Sequence, residues 1–154
     1  MKIELRNVKH MPSLSEETEC FSAIIYIDGK KRGDARNRGH GGQTDITPCT
    51  LAEELNAYAA TLPDVIYGGM TLKMNAELLI DEILGDELQR KQLKRLCAKK
   101  TLFREAGKTY GEGQYDAIKI PYGPAAIAWI QKHCPGAVIV NTALVGLPVL
   151  SLAM

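Results

Sequence analysis

Phe21-Ser22-Ala23-Ile24-Ile25-Tyr26-Ile27-Asp28-Gly29-Lys30-Lys31-Arg32-Gly33-Asp34-Ala35-Arg36-Asn37 is the stretch that decides the fold. Phe21, Ala23, Ile25 and Ile27 alternate with Ser22, Ile24 and Tyr26, the two-residue period of a strand with one buried face. Asp28-Gly29 supplies a hairpin turn, because glycine takes positive φ without a steric penalty. The returning segment, Lys30 to Asn37, is strongly polar and reads as an edge strand. Upstream, Ile3 and Leu5 alternate with polar neighbours and predict a further strand.

Downstream, the Gly-rich run Arg38-Gly39-His40-Gly41-Gly42 predicts a loop, and helices follow it. Pro48 suits a first helical turn, Thr50 with Glu53 fits a capping box, and Leu51, Leu55, Tyr58, Ala59 and Leu62 share a face before Pro63. A second helix is expected through Leu72, Ala76, Leu79, Ile80, Ile83 and Leu84, ending at Gly85. A third is expected from Asp86 to about Lys100, with Leu88, Leu93, Leu96 and Cys97 inward. Strands return at Thr101–Glu105 and Tyr115–Ile120. Pro124 opens a short helix with Ala126, Trp129, Ile130 and His133 on one face, and Ala137–Val140 forms a last strand. The expected fold is α+β, a mixed or mainly antiparallel sheet with helices packed on one side, in the order βββ-ααα-ββ-α-β.

A length of 154 residues points to a single α+β domain spanning the chain, 1–154, and no linker or repeat divides it. Nineteen Lys+Arg against eighteen Asp+Glu leave a net charge of +1, so only local patches can argue for an anionic partner. Cys20, Cys49, Cys97 and Cys134 are scattered without CxxC spacing, and the start carries no signal-like apolar core. Both features predict free thiols in a reducing cytoplasm. Residues 137–154 carry no charge. Asn141, Thr142, Gly146, Pro148 and Ser151 nevertheless interrupt the run, which favours a strand and a packed apolar tail, about 142–154, over a membrane anchor. Leu144, Val145, Leu147, Val149, Leu150 and Leu152 are too apolar for a free end, and a homodimer is slightly favoured as the way to cover them.

The most suggestive chemistry lies in Lys30–Gly42, with five Lys/Arg side chains leading into glycines whose N–H groups are unshielded. Lys31, Arg32, Arg36, Arg38, Gly39, His40, Gly41 and Gly42 are the candidate ligand-binding residues, suited to a phosphate or carboxylate. The plainer reading is a charged edge strand followed by a turn, since neither GxxxxGK[ST] nor GxGxxG is present. His40 is the one candidate acid or base, without a Ser-His-Asp order around it.

A second stripe, Arg90, Lys91, Lys94 and Arg95, lies in a segment from Asp86 to Arg104 with seven cations and two acids. It could meet nucleic acid or an acidic protein, or serve as a solvated face. Glu16, Glu17 and Glu19 read as an exposed acidic turn, and Trp129 at helical spacing reads as core. The three histidines and four cysteines bring one close pair, His133-Cys134, whose adjacency points the side chains apart, so no metal is expected, nor any cofactor.

Ser15-Glu16-Glu17-Thr18-Glu19-Cys20-Phe21-Ser22-Ala23, then Tyr26-Ile27-Asp28-Gly29-Lys30, then Asn37-Arg38-Gly39-His40-Gly41-Gly42, resembles a family of small uncharacterised proteins of phages, plasmids and bacterial genomes. The resemblance is good over about residues 1–45 and loose beyond. It brings no activity and no catalytic residues, and implies an accessory protein of mobile elements. The leading expectation is therefore a non-enzymatic phage or mobile-element accessory factor, in an anti-defence role, that binds a nucleotide or an acidic partner surface. The alternatives are an enzyme on a phosphate-bearing substrate using His40, and a nucleic-acid-binding protein using the helix 87–100.

Overall fold

The computed structural model describes residues 1–111, 113–141 and 143. The expected α+β class holds, and every strand pairing among those residues is antiparallel. The chain forms two compact units, Met1–Glu87 and Leu88–Met154.

In the first unit, β1 (Ile3–His10), β2 (Phe21–Ile27), β3 (Lys30–Asn37) and β4 (Asp45–Thr47) form a sheet in the order β1-β2-β3-β4. The alternation read in β2 is realised: Phe21, Ala23, Ile25 and Ile27 are buried, and the residues between them are half-buried. The turn after it places Asp28 at φ 49° and Gly29 at φ 79°. The segment Lys30–Asn37 is not an edge, because β4 pairs Asp34, Ala35 and Arg36 with Thr47, Ile46 and Asp45. Its polar side chains point outward, whereas Gly33, Ala35 and Asn37 point in. The small inward residues make room for α1 (Cys49–Ala59): a Cβ on Gly33 would drive into the Thr47 carbonyl oxygen and come within 2.6 Å of Leu51 Cδ2.

Leu51, Leu55 and Ala59 of α1 are buried. Each buried leucine contributes about 1.5–3 kcal/mol, enough to seat the helix without a cap. Pro48 stands at the N-cap with no side-chain hydrogen bond, so the expected Thr50–Glu53 capping box is not what starts it. A two-stranded hairpin follows, β5 (Val65–Tyr67) and β6 (Met70–Leu72), turned by Gly68 and Gly69 at φ 56° and 82°.

The helices expected on either side of Gly85 run as one, α2 (Ala76–Cys97). An interior glycine costs only about 1 kcal/mol, and buried Leu79, Ile80 and Leu84 on one side and Cys97 on the other outweigh it. Asn75 starts α2 by accepting from the Leu78 N–H at 2.8 Å, and Asn56 of α1 accepts from the Ala76 N–H at 2.8 Å. Ala59, Met74 and Leu79 make a small core there, with Tyr58, Leu62, Val65 and Ile83 packed around it.

In the second unit, β7 (Thr101–Arg104) lies between β8 (Asp116–Ile118) and β9 (Val138–Ile139). The fully buried Asn141 continues β9 by side chain, accepting from the Leu102 N–H at 2.6 Å and donating to the Lys100 carbonyl at 3.1 Å. The helix α3 (Pro124–His133) buries Ala126, Ile127 and Ile130. Trp129 is not core: it is 37% exposed and stacks on His133, ring centroids 4.3 Å apart. No helix among the described residues is long and apolar enough to cross a membrane. The apolar tail about 142–154, with the homodimer expected from it, falls outside the described residues except for Ala143.

Candidate functional site

The glycine loop is organised by one buried side chain. Asn37 Oδ1 accepts from the Gly39 N–H and the Thr18 hydroxyl, each at 2.9 Å. Its Nδ2 donates to the Gly42 carbonyl at 2.9 Å and to Thr44 Oγ1 at 3.2 Å. All four hydrogen-bonding positions of the amide are used, which is what a buried amide requires.

Gly39 serves the loop through its carbonyl. The N–H groups of Glu16, Glu17 and Thr18 converge on that oxygen at 2.9, 3.1 and 3.4 Å. Converging backbone N–H groups of this kind make an anion nest, and here the nest belongs to the acidic turn and holds a carbonyl of the same chain. Gly39 has φ 88°, and a Cβ on it would meet the Leu14 carbonyl oxygen and, at 2.9 Å, Cys20 Cβ. The Gly41 N–H donates to Thr18 Oγ1 at 3.3 Å. Thr44 then joins the loop to α2, its N–H donating to Glu77 Oε1 at 2.9 Å and its hydroxyl to Asp81 Oδ1 at 3.2 Å. Loss of water pushes the Asp81 carboxyl up, the Thr44 hydroxyl opposes this, and the Glu77 charge adds to it.

The cations of this stretch divide into paired and unpaired. Arg32 Nη2 lies 2.6 Å from Glu54 on α1, Lys31 lies 3.7 Å from Asp34, and His40 Nδ1 lies 3.0 Å from Glu16. Lys30, Arg36 and Arg38 are exposed and have no ion-pair partner among the described residues. The imidazole of His40 is held by a carboxylate, in the manner of an oriented base, but it is exposed, and Glu16 is its one side-chain hydrogen-bond partner among the described residues. A cleft of about 230 Å³ adjoins the loop, lined by Gln43, Thr44, Ile46, Asn56, Asn75 and Glu77 among others.

Arg90, Lys91, Lys94 and Arg95 lie in the second half of α2 and belong to the second compact unit, apart from the loop residues. Arg90, Lys94 and Arg95 are exposed, and Arg90 and Lys91 are engaged with neighbours.

Two arrangements were not read from sequence. One is the outer face of the first sheet, where Arg6 stands over the Tyr26 ring, 4.2 Å from its centroid, and is held by Glu4 at 2.7 Å. The Lys2 ammonium, with Arg6 beside it, lowers the Glu4 carboxyl to about 2. The other is a cluster in the second unit. The Tyr110 hydroxyl donates to Asp116 at 2.5 Å, and Lys108 bridges Glu105 at 3.0 Å and Asp116 at 3.2 Å. Glu105 and Asp116 hold the Lys108 ammonium above the usual lysine range. The Tyr110 hydroxyl and Lys108 hold Asp116 below the usual carboxylate range. The Cys134 thiol, 3.6 Å from Glu105, is pushed up by burial and then by that carboxylate, which keeps it protonated and poorly nucleophilic. Among the described residues, no group of three or more His, Cys, Asp or Glu is arranged to hold a metal ion.

No protein-family model, no curated protein and no solved structure matches the chain.

Proposed function

We propose that the chain is a non-enzymatic binding protein that holds an anionic ligand, a nucleotide in the first instance, in the service of a phage or other mobile element. The observation that carries this reading is the pair Arg36 and Arg38. Their neighbours Lys31, Arg32 and His40 each stand beside a carboxylate, whereas these two, like Lys30 at the far end of β3, are exposed and free of ion pairs among the described residues. Two residues apart along an extended backbone, their Cα atoms stand about 6.5 Å apart, a spacing from which two guanidinium forks can grip one phosphate or carboxylate. The glycine loop contributes a fixed end to β3, through Asn37, more than a set of free N–H donors.

The test is thermal shift and calorimetry with nucleotides and cyclic nucleotides on the wild-type chain and on Arg36→Glu and Arg38→Glu. Stabilisation by a nucleotide, lost in both variants, supports the reading. No stabilisation by any of them at saturating concentration sinks it, and moves the function to inhibition of an acidic protein partner. A second reading is favoured by the His40–Glu16 pair alone, an enzyme on a phosphate-bearing substrate. It requires turnover that His40→Ala abolishes while binding survives.

A further inference from the structure

The register of the first sheet sets three rows across its outer face. Direct cross-strand partners share a face. Lys9, Ser22, Arg36 and Asp45 therefore make one row, Arg6, Ile24, Asp34 and Thr47 the next, and Glu4, Tyr26 and Lys31 the third. Lys9 stands in this set only because β1 is bulged. Strict alternation from Arg6 would place Val8 outward and Lys9 inward. The register instead jumps between Arg6 and Lys9, and Asn7 takes φ 53°, a left-handed conformation that asparagine tolerates. The bulge brings Lys9 onto the face of Arg6 and opposite Arg36, with the Ser22 hydroxyl between them.

The face is charged unevenly. Toward Glu4, the carboxylate is tied to Lys2 and Arg6, and Lys31 is tied to Asp34. Toward the other end, Lys9, Arg36 and Arg38 are exposed and without ion pairs among the described residues, with Asp45 the one acid in that row. Lys9 and Arg36 are two strands apart, about 10 Å, too far to close on one phosphate and suited to two along a chain. Between the charges lie half-buried Ile24 and Tyr26, the latter with the Arg6 guanidinium fixed over its ring by Glu4. Unpaired bases stack on aromatic rings and guanidinium planes, and paired bases have no such face to offer.

We infer that this outer face is a binding platform for single-stranded nucleic acid, with Lys9, Arg36 and Arg38 on successive phosphates and the Arg6–Tyr26 stack under a base. The inference rests on the anion reading through Arg36 and Arg38, and extends it from a single anion to a polyanion.

The experiment is fluorescence anisotropy of a short labelled oligothymidylate against the full chain over a salt series, with Lys9→Ala, Arg36→Ala, Arg6→Ala, Tyr26→Leu and, as a control, Lys94→Glu with Arg95→Glu. Three phosphate contacts on a single strand predict that log Kd rises with log salt with a slope of about two. Lys9→Ala should lower that slope by about 0.7 and weaken binding several-fold. Tyr26→Leu and Arg6→Ala should weaken binding roughly tenfold, with Tyr26→Leu leaving the slope unchanged. Circular dichroism and melting confirm that each variant is folded. If the oligonucleotide does not bind while a mononucleotide still does, the platform is wrong and the anion site stands. If the α2 control alone abolishes binding, or if polyglutamate competes as well as the oligonucleotide, the inference is overturned in favour of the basic helix or of an acidic protein partner.

Discussion

Asn37 and Thr44 are joined by a hydrogen bond of 3.2 Å between the amide nitrogen of one and the hydroxyl of the other, and that contact fastens the glycine loop to the helix α2. Asn37 is 5% exposed, and its partners Gly39 and Thr44 are buried with it, while Thr18 is half-buried and Gly42 exposed. Asn37→Ala leaves the Thr18 hydroxyl, the Gly39 N–H and the Gly42 carbonyl unmatched, and should cost about 3 kcal/mol, given about 1–3 kcal/mol for each orphaned buried group and partial relaxation. Urea unfolding measures it. A loss under about 1 kcal/mol would mean that the loop holds itself without Asn37.

The loop glycines should differ in tolerance. Gly39→Ala forces a side chain into positive φ and against Leu14 and Cys20, and should destabilise by about 2–4 kcal/mol. Gly42 has ordinary φ and nothing within 4 Å of a would-be Cβ, so Gly42→Ala should stay within about 0.5 kcal/mol of wild type. Equal losses at both positions would contradict the packing described here.

Acid stability should carry a contribution from Glu4. Its folded carboxyl is lowered from the ordinary 4.5 to about 2, first by Lys2 and then by Arg6. A depressed folded value stabilises above the unfolded one. The contribution is therefore complete above about 4.5 and disappears as the pH falls toward 2. Carbon-detected NMR titration should show Glu4 ionising well below the exposed glutamates, and Lys2→Ala should bring it back toward them. An ordinary Glu4 titration in the wild-type chain would remove the preorganisation of Arg6.

The four thiols should react in order of access. Cys49 is exposed, Cys134 half-buried, and Cys20 and Cys97 buried. Burial raises the Cys97 thiol as well as that of Cys134. Ellman's reagent at mildly alkaline pH should give one fast thiol, abolished by Cys49→Ser, then one slow thiol, with the remaining two released on unfolding. Two fast thiols in the folded chain would place Cys134 in a more open setting than the one seen.

Much of this fold could be read because its driving pattern is local. The alternation in β2 and the Asp28-Gly29 turn need no knowledge of distant residues, and neither do the apolar spacings of α1 and α3. What escaped reading depends on partners far along the chain. Three residues of β4 with one apolar side chain carry no period of their own, and they are a strand because β3 offers Asp34–Arg36 to pair with. The hairpin Val65–Leu72 does carry a signal, Gly68-Gly69 between Val65-Ile66-Tyr67 and Met70-Thr71-Leu72, but Leu72 also fits the helical spacing of Ala76, Leu79 and Ile80, which competes with it. Gly85 looked like a stop and was carried through by the leucines and isoleucines on either side. The cationic stretch was visible as composition, but which of its charges stay free depends on Glu54 and Glu16, and no spacing rule links those to Arg32 and His40.

The bulge at Asn7 also changes how sequences akin to this one should be lined up. A strand is commonly treated as a place where no gap belongs, yet β1 holds one residue more than its partner requires. A kindred chain without that residue would fit in β1 with a one-residue gap in mid-strand. Forcing it into register without the gap would match Lys9 to a position on the opposite side of the sheet. Identity at that column would then count two side chains as equivalent although they face different surroundings.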